Sequence, residues 1–468
     1  MATLPSISYS ITVRLVLPAR ATAVSELTHA IERDGGAVTA LDVTASGSDT
    51  LRIDLTAAAA DTEHAARLVE TMRAVPGVEI GKVSDRTFLA HLGGKLSIES
   101  RVPIRNRDDL SLVYTPGVAR VCLALADNPA DARNLTIKGN TVAVVTDGTA
   151  VLGLGNLGPI AALPVMEGKA ALFKRFAGID AFPICLDTTD TEEIIAAVKA
   201  ISPVFAGINL EDISAPRCFE IEQRLRDELD IPVFHDDQHG TAIVSLAALR
   251  NALRVVGKDL SDVRIVMSGA GAAGTAILKL FLLAGATDVI VADMHGVLTP
   301  DRPDIASGEN PALRWSAEHT NPRGFTGTLK EALVGADVFL GVSAPNILTG
   351  DDIGRMAPDS IVFAMANPDP EVDPNEAAKH AAVVATGRSD FANQINNVLV
   401  FPGVFRGLLD ARSKSITPEV LLAAADALAG VVKEDELNPT YIVPSVFHPD
   451  VSRVVAEAVA RAARAAHP

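Results

Sequence analysis

Cysteine is scarce in this 468-residue chain. Cys122, Cys185 and Cys218 stand far apart, fit neither a CxxC zinc spacing nor an even disulfide framework, and are expected to be reduced core residues. Basic runs are absent. With 58 acidic against 41 basic side chains and a net charge of −17, the chain lacks the attraction to phosphate on which nucleic-acid and anionic-membrane binders depend. Long uncharged stretches are missing too: Lys279 breaks residues 276–286, Asp426 breaks 420–432, and nothing reaches the roughly 18 apolar residues of a membrane span. Residues 1–21 carry Arg14 and alternate in polarity, so they form no signal-peptide core. There is no low-complexity segment and no repeat. These absences predict a cytoplasmic protein with neither nucleic-acid nor membrane partners. At roughly 150 residues per domain, its length predicts about three domains.

The first block alternates. Tyr9, Ile11, Val13 and Leu15 interleave with Ser8, Ser10, Thr12 and Arg14, the period of a strand with one buried face. Val24, Leu27 and Ile31 recur at helical spacing, and Gly35-Gly36 supplies the permissive backbone that ends a helix. Strand patterns follow at 37–43 and 51–55, then a second helix marked by Ala65, Leu68, Val69 and Met72, then a short strand at 78–83. The order βαββαβ is a ferredoxin-like plait. The block, residues 1–86, resembles an ACT domain, which implies pairing with a second copy and a small-molecule effector at the Gly35-Gly36 turn. A packing plait with no ligand is the alternative reading.

From residue 88 onward, β-rich runs at 142–145, 204–208 and 232–234 alternate with helical patterns such as 216–229. That alternation predicts a parallel sheet covered by helices on both faces. Further on, residues 264–268 read as a strand, followed by Gly269-Ala270-Gly271-Ala272-Ala273-Gly274 and an apolar helix. Gly269, Gly271 and Gly274 permit a tight turn, close backbone approach to a pyrophosphate and tight helix packing. Asp293 ends the next strand, where an acid accepts hydrogen bonds from a ribose diol. A Rossmann-type dinucleotide site is predicted. Gly153-Leu154-Gly155-Asn156-Leu157-Gly158 spells the same pattern, but Pro159 and Pro164 are expected to interrupt the helix behind it, so it reads as a wall of a substrate cleft.

Acids gather at strand ends. Glu211-Asp212 follows one strand and Asp236-Asp237 the next, about 25 residues later, the length of one helical crossover, so both pairs emerge at the same sheet edge. Carboxylates converging there call for a cation, and all-oxygen ligation favours Mg²⁺ or Mn²⁺. Helix capping is the alternative role for Asp212 and Asp237. His235 and His239 are read as structural hydrogen-bonding residues, not ligands.

At these positions a family resemblance becomes specific. Residues 111–119 with Tyr114, Met166-Glu167-Gly168-Lys169, Asn209-Leu210-Glu211-Asp212, residues 235–242, Ala366-Asn367-Pro368, Asn396-Asn397-Val398 and residues 438–444 look like the motifs of malic enzymes, in that order. The resemblance is to the short bacterial forms, with no further domain expected after it. It implies oxidative decarboxylation of L-malate to pyruvate and CO2, with NAD or NADP reduced and a divalent cation required; the edge strands of the N-terminal plait predict a homodimer or higher homo-oligomer. By motif position it implies Tyr114 as general acid, Lys169 as general base, Glu211, Asp212 and Asp237 as metal ligands, and Asn367, Asn396 and Asn397 at the substrate. With burial and a nearby cation, Lys169 is expected to have a pKa below that of free lysine.

The implied domains are 1–86, 87–237 and 238–468. Asp293 is followed by Met294-His295-Gly296 and not by an arginine, which leans toward NAD. Ala150 stands where larger relatives carry a substrate-clamping arginine, which leaves one substrate carboxylate without an identified cation. Two other functions compete: a malolactic-type or 2-keto acid decarboxylase that retains NAD, and a protein that only senses NAD(H) and metabolites.

Overall fold

The computed structural model describes residues 5–308 and 310–466. The chain forms two compact units, Met1–Ser97 and Ile98–Pro468. The helix Arg86–His91 goes with the first unit, where Thr87 Oγ1 donates to the Ser8 carbonyl at 2.9 Å.

In the first unit β1 (Ser6–Pro18), β2 (Ala37–Ser46), β3 (Thr50–Ala59) and β4 (Glu79–Asp85) form one antiparallel sheet in the order β2-β3-β1-β4. The helices Ala23–Arg33 and Thr62–Arg73 connect them, which is the βαββαβ order. Ile11, Val13, Leu15 and Leu17 point into the core against Leu27 and Ile31 of one helix and Leu68 and Met72 of the other. The expected alternation fails at the start of β1. A register shift before Ile11 turns Ser10 inward and leaves Tyr9 exposed, because one slipped residue exchanges the two faces of a strand. Gly35 takes the left-handed conformation, φ +87°, and so closes the first helix. Buried His64 ties that turn to the second helix: Nδ1 accepts from the Ala60 N–H at 3.0 Å, and Nε2 meets the Asp34 carbonyl at 2.9 Å.

The second unit holds two parallel sheets. β5 (Thr141–Thr146), β6 (Asp180–Cys185), β7 (Gly207–Leu210) and β8 (Val233–His235) run in the order β6-β5-β7-β8. β9 (Arg264–Ser268), β10 (Asp288–Asp293), β11 (Gly296–Val297), β12 (Val338–Gly341), β13 (Ile361–Ala364) and β14 (Val383–Thr386) run in the order β11-β10-β9-β12-β13-β14, with only β11 antiparallel. The helix Thr241–Val256 lies in the core that joins both sheets, and Ala242 to Leu249 along it are all buried. This is the α/β fold with a Rossmann-type sheet that the sequence predicts.

Three local expectations are corrected. Pro159 and Pro164 do not interrupt the helix behind the Gly153 loop, which runs unbroken over Pro159–Ala177. Pro159 sits at the first helical position, where its missing N–H costs nothing, and a helix-forming run carries the segment past Pro164 to a left-handed Gly178. Cys122 is exposed, not a core residue, because the helix Val118–Asp127 that carries it has no buried residue. Cys218 is buried, and burial pushes its thiol up to about 12. By length and composition alone, Arg107–Asp127 would be apolar enough to cross a membrane. The turn at Tyr114–Gly117 splits it into helices of 7 and 10 residues, each well short of the roughly 20 a span needs.

A fragment of residues 1–97 carries its own core and is expected to unfold cooperatively by itself. Leu15→Ala should lower its stability by about 2–5 kcal/mol in urea unfolding; a loss under about 1 kcal/mol would mean that this core does not hold the unit together.

Candidate active site

β5, β7 and β8 are parallel neighbours, so the residues that follow them emerge at one edge. Glu211 and Asp212 follow β7, and Asp236 and Asp237 follow β8. Carboxylate oxygens of Glu211, Asp212 and Asp237 lie within 4.8 Å of one another. Asp237 Oδ2 accepts the Asp212 N–H at 2.8 Å, and Asn209 Nδ2 donates to Glu211 Oε2 at 2.8 Å. Asp236 and Asp237 belong to a wide helical turn, Asp236–Gly240, that leads into the helix Thr241–Val256. Gly240 is required there, since a Cβ would come 2.0 Å from Asp236 Oδ1.

Lys169 reaches this cluster from the middle of the helix Pro159–Ala177. Met166, Lys169, Ala170 and Phe173 fall at helical spacing on its buried stripe, so the lysine occupies a core position. Its Nζ stands 2.5 Å from Asp236 Oδ2, 3.0 Å from Glu211 Oε1 and 4.3 Å from the centre of the Phe401 ring. Lys174, the other lysine of this helix, lies on its outer face and pairs with Asp180 at 2.7 Å.

The electrostatics follow from burial. Burial pushes Glu211 up to about 7, with Lys169 opposing and Asp237 reinforcing the rise. Asp212 rises to about 8 through burial and the charges of Asp237 and Glu211. Asp236 and Asp237 each rise to about 6, again chiefly through burial, with Lys169 opposing. The expected depression of the Lys169 pKa rests on the charge of a nearby cation; the protein's own groups push the other way. Burial alone would lower it, but the charges of Asp236 and then Glu211 prevail and hold the ammonium above the free-lysine value. His235 is fully buried and burial pushes it down to about 4; His239 Nε2 lies 2.7 Å from Glu222. Neither histidine belongs to the carboxylate cluster.

Three mutually repelling carboxylates fit a divalent cation. Asp212 Oδ2 is buried and has no hydrogen-bond partner among the described residues, and every donor is oxygen, the set that hard cations prefer.

Tyr114 lies apart from this cluster's hydrogen bonds. It ends the helix Arg107–Val113, is 67% exposed, and its hydroxyl makes no hydrogen bond among the described residues. Asn396 spends its side-chain oxygen on the Val398 N–H at 3.0 Å, capping the turn Asn397–Leu399. Asn397 packs against Gly240. Gly153 has φ +76° and lies so close to Asn367 that a Cβ would come 2.7 Å from its carbonyl oxygen. The same loop is joined to the acidic edge, since Ala150 N–H donates to the Asp212 carbonyl at 2.9 Å. Near Ala150 stands Arg217, bonded to Asp147 Oδ2 at 2.8 Å and Thr149 Oγ1 at 3.1 Å, so its charge is already matched.

At the second sheet, Gly269 follows β9 with φ +106°, and a Cβ there would come 2.6 Å from the Val342 carbonyl. A Cβ on Gly274 would come 2.1 Å from the Gly269 carbonyl. Gly271 is the N-cap of the helix Ala272–Leu283 and faces open space, which leaves room for a ligand's phosphates at the helix start. Asp293 ends β10. An arginine stands beside it after all: Arg302 is bidentate to the Asp293 carboxylate, at 2.8 Å from Nη1 to Oδ1. Reading only the residues next to Asp293 missed it, because a loop brings it back nine positions later. Asp236, the partner of Lys169, was also missed as a working residue; its signal was a second acid at the same strand end.

Comparison with known proteins gives a consistent result. Residues 93–226 match the family "Malic enzyme, N-terminal domain" and residues 238–464 match "Malic enzyme, NAD binding domain". The chain is 57% identical over 454 residues to an NAD-dependent malic enzyme of Geobacillus stearothermophilus, covering 97% of this chain and 94% of that one. It is 54% identical over 371 residues to a bifunctional malic/malolactic enzyme of Bacillus subtilis, covering 79% and 90%. A solved structure, the NAD-dependent malic enzyme of Thermotoga maritima, superposes with a TM-score of 0.77 at 48% identity, covering 81% of this chain and 99% of that one.

Two outcomes are expected of this geometry. Because the clustered acids hold protons up to pH 6–8, protons compete with metal there, and Mn²⁺ affinity measured by calorimetry should fall more than about tenfold from pH 8 to pH 6. An affinity unchanged down to pH 5 would contradict the carboxylate cluster as the metal site. Asp293→Ala should cut the ratio of kcat/KM for NAD over NADP by about tenfold or more, since it removes the ribose acceptor and leaves Arg302 paired with Asp304 alone and open on its Asp293 side to a 2′-phosphate.

Proposed function

Because the chain belongs to the malic enzyme family, we propose that it oxidises and decarboxylates L-malate to pyruvate and CO2, with NAD as the favoured acceptor, in the cytoplasm. The observation that carries this reading is a buried lysine held at 2.5 Å from Asp236 and 3.0 Å from Glu211 at the rim of a three-carboxylate cluster. An acid–base group and a hard-cation site side by side are what removal of a hydroxyl proton followed by decarboxylation requires.

Glu211, Asp212 and Asp237 would hold Mg²⁺ or Mn²⁺, and the Gly269 loop with Asp293 would hold the dinucleotide. When bound, NAD supplies the hydride acceptor and the cation supplies positive charge beside the substrate's C2 oxygen. Lys169 Nζ, in its neutral form, is the group that would take the C2 hydroxyl proton, and Asp236 Oδ2 and Glu211 Oε1 hold it in position. Phe401 covers the Nζ and keeps bulk water from it. Asn367 and Asn397 orient the substrate; Asn396, which caps the turn, positions Asn397. Tyr114 returns a proton to C3 after CO2 leaves.

The exposed position of Tyr114 bears on assembly, and we read the enzyme as a homodimer. The helices Arg107–Val113 and Val118–Asp127 have no buried residue, and Leu112, Tyr114 and Leu123 stand exposed on them, an apolar surface that a second copy of the chain would cover. For the first unit we propose regulation by a small metabolite at the Gly35-Gly36 turn. A malolactic outcome is the second reading, favoured by the likeness to the Bacillus subtilis bifunctional enzyme.

Lys169→Ala should lower kcat for malate oxidation by about 10²–10⁴-fold while leaving NADH binding unchanged. Lys174→Ala should be near parental. Lactate in place of pyruvate and NADH among the products would replace the oxidative reading by the malolactic one. In sedimentation velocity the parent enzyme should run as a dimer and Leu123→Glu should shift it toward monomer; a parent enzyme that sediments as a monomer would remove the homodimer.

A further inference from the structure

Glu222 is a buried carboxylate that the proposed reaction does not use. It lies on the inner face of the helix Arg217–Glu228, with Cys218, Ile221 and Leu225, and is 5% exposed. Burial alone would raise its carboxyl, but His239 prevails and holds it below the ordinary carboxylate value. The group therefore stands ionised and can only accept hydrogen bonds. A charge so placed is costly unless it is paired.

Its partners are the two ends of one short turn. Glu222 Oε1 accepts the His235 backbone N–H at 3.3 Å and the His239 Nε2–H at 2.7 Å. His235 is the residue just before the turn Asp236–Gly240, and His239 is the fourth residue within it. Arg226 Nη1 stands further off, at 4.0 Å, and Arg226 Nη2 is spent on the Ile416 carbonyl at 2.6 Å. The turn itself is wound more widely than an α-helix, the one such turn among the described residues, a rare geometry found mostly at functional sites. Ahead of it, β8 has three residues and forms the edge of its sheet, so Glu222 takes the buried His235 N–H where no further strand follows. Asp236, which meets Lys169, and Asp237, which meets the Asp212 N–H at 2.8 Å, both stand on the backbone between the two points that Glu222 holds.

We propose that Glu222 is a positioning residue for the metal-binding carboxylates: by holding His235 and His239 on one oxygen it fixes the span between them, and with it the direction in which Asp237 faces Glu211 and Asp212. Glu222 lies outside the cluster and acts through the turn. The inference deepens the proposed function and rests on the reading of Glu211, Asp212 and Asp237 as the metal site.

The full-length enzyme, free of substrate, is titrated with Mn²⁺ by calorimetry, and NADH affinity is measured on the same preparations. Glu222→Leu and His239→Leu should each weaken Mn²⁺ binding by about tenfold with NADH affinity unchanged. The double variant should be no weaker than Glu222→Leu, since loss of the oxygen already releases His239. Glu222→Gln keeps an oxygen at the accepting position and should bind Mn²⁺ as the parent does. Parental Mn²⁺ affinity in Glu222→Leu, losses that add in the double variant, or an equal loss of NADH affinity each overturn the proposal. So does a glutamine variant as weak as the leucine one, which would assign the effect to charge and not to the clamp. His239→Leu, at the other end of the hydrogen bond, decides the matter where Glu222→Leu does not fold. Asp237→Ala separates the two levels: Mn²⁺ binding that survives it removes the metal site itself, whereas binding that it abolishes and Glu222→Leu leaves intact removes only the role of Glu222.

Discussion

Four carboxylates and one ammonium share the edge of a small parallel sheet, and the surrounding fold is arranged to tolerate them. Desolvation raises every one of the acids, while a single lysine counters the charge at Asp236 and Glu211. A buried ion cluster of this kind contributes little to stability, because desolvation offsets most of the Coulombic attraction. The stability comes from elsewhere: the core that joins both sheets around the helix Thr241–Val256, and the stripe Met166, Ala170 and Phe173 that fixes the helix bearing Lys169. Phe173 packs edge-on against Phe401 and Phe405, and Phe401 in turn lies over the Lys169 ammonium. The apolar core and the charged cluster thus share a wall, and the position of Nζ is set by packing as much as by charge.

The glycines divide in the same way between building the scaffold and admitting ligands. At Gly240, Gly269 and Gly274 a side chain would strike the protein itself, whereas at Gly155 and Gly271 it would point into open space. The first kind lets backbone approach backbone at Gly269 and Gly274 and the Asp236 carboxylate at Gly240, and the second leaves a surface that a ligand can approach. For Gly269, Gly271 and Gly274 the sequence pattern carries both meanings at once. For the Gly153 loop it does not: the same spelling produces a loop folded over Gly148, where Leu157 and Gly158 N–H groups both donate to the Gly148 carbonyl.

What the sequence made legible was local and periodic. Alternation gave the plait, the strand–glycine–helix pattern gave the Rossmann sheet, and acids at successive strand ends gave the cluster. What it hid was spatial. Lys169 and Asp236 are 67 positions apart, so the carboxylate pairing that raises the lysine's pKa lies outside any window of sequence. Arg302 reaches Asp293 through a loop that adjacency did not register. The slip before Ile11 and the continuity of the helix through Pro164 are cases where packing overrides a local rule. The exposure of Tyr114 and Cys122 is of another kind, because it is a property of what one chain leaves uncovered.

The overall charge sharpens the demand on the site. A chain of net charge −17 repels a dianionic substrate and an anionic dinucleotide at long range, so binding has to be local. At the acidic edge the protein adds more negative charge, and one lysine does not cancel it. Arg217 and Arg302 are both paired with carboxylates and bring no free positive charge. In the proposed reading, neutralisation at the substrate would fall to a cation held by Glu211, Asp212 and Asp237, and at the dinucleotide to backbone N–H groups at the start of the helix Ala272–Leu283. A cation there would both offset the substrate's charge and relieve the buried carboxylates, which is why a cluster so costly to bury stands at the centre of the proposed chemistry.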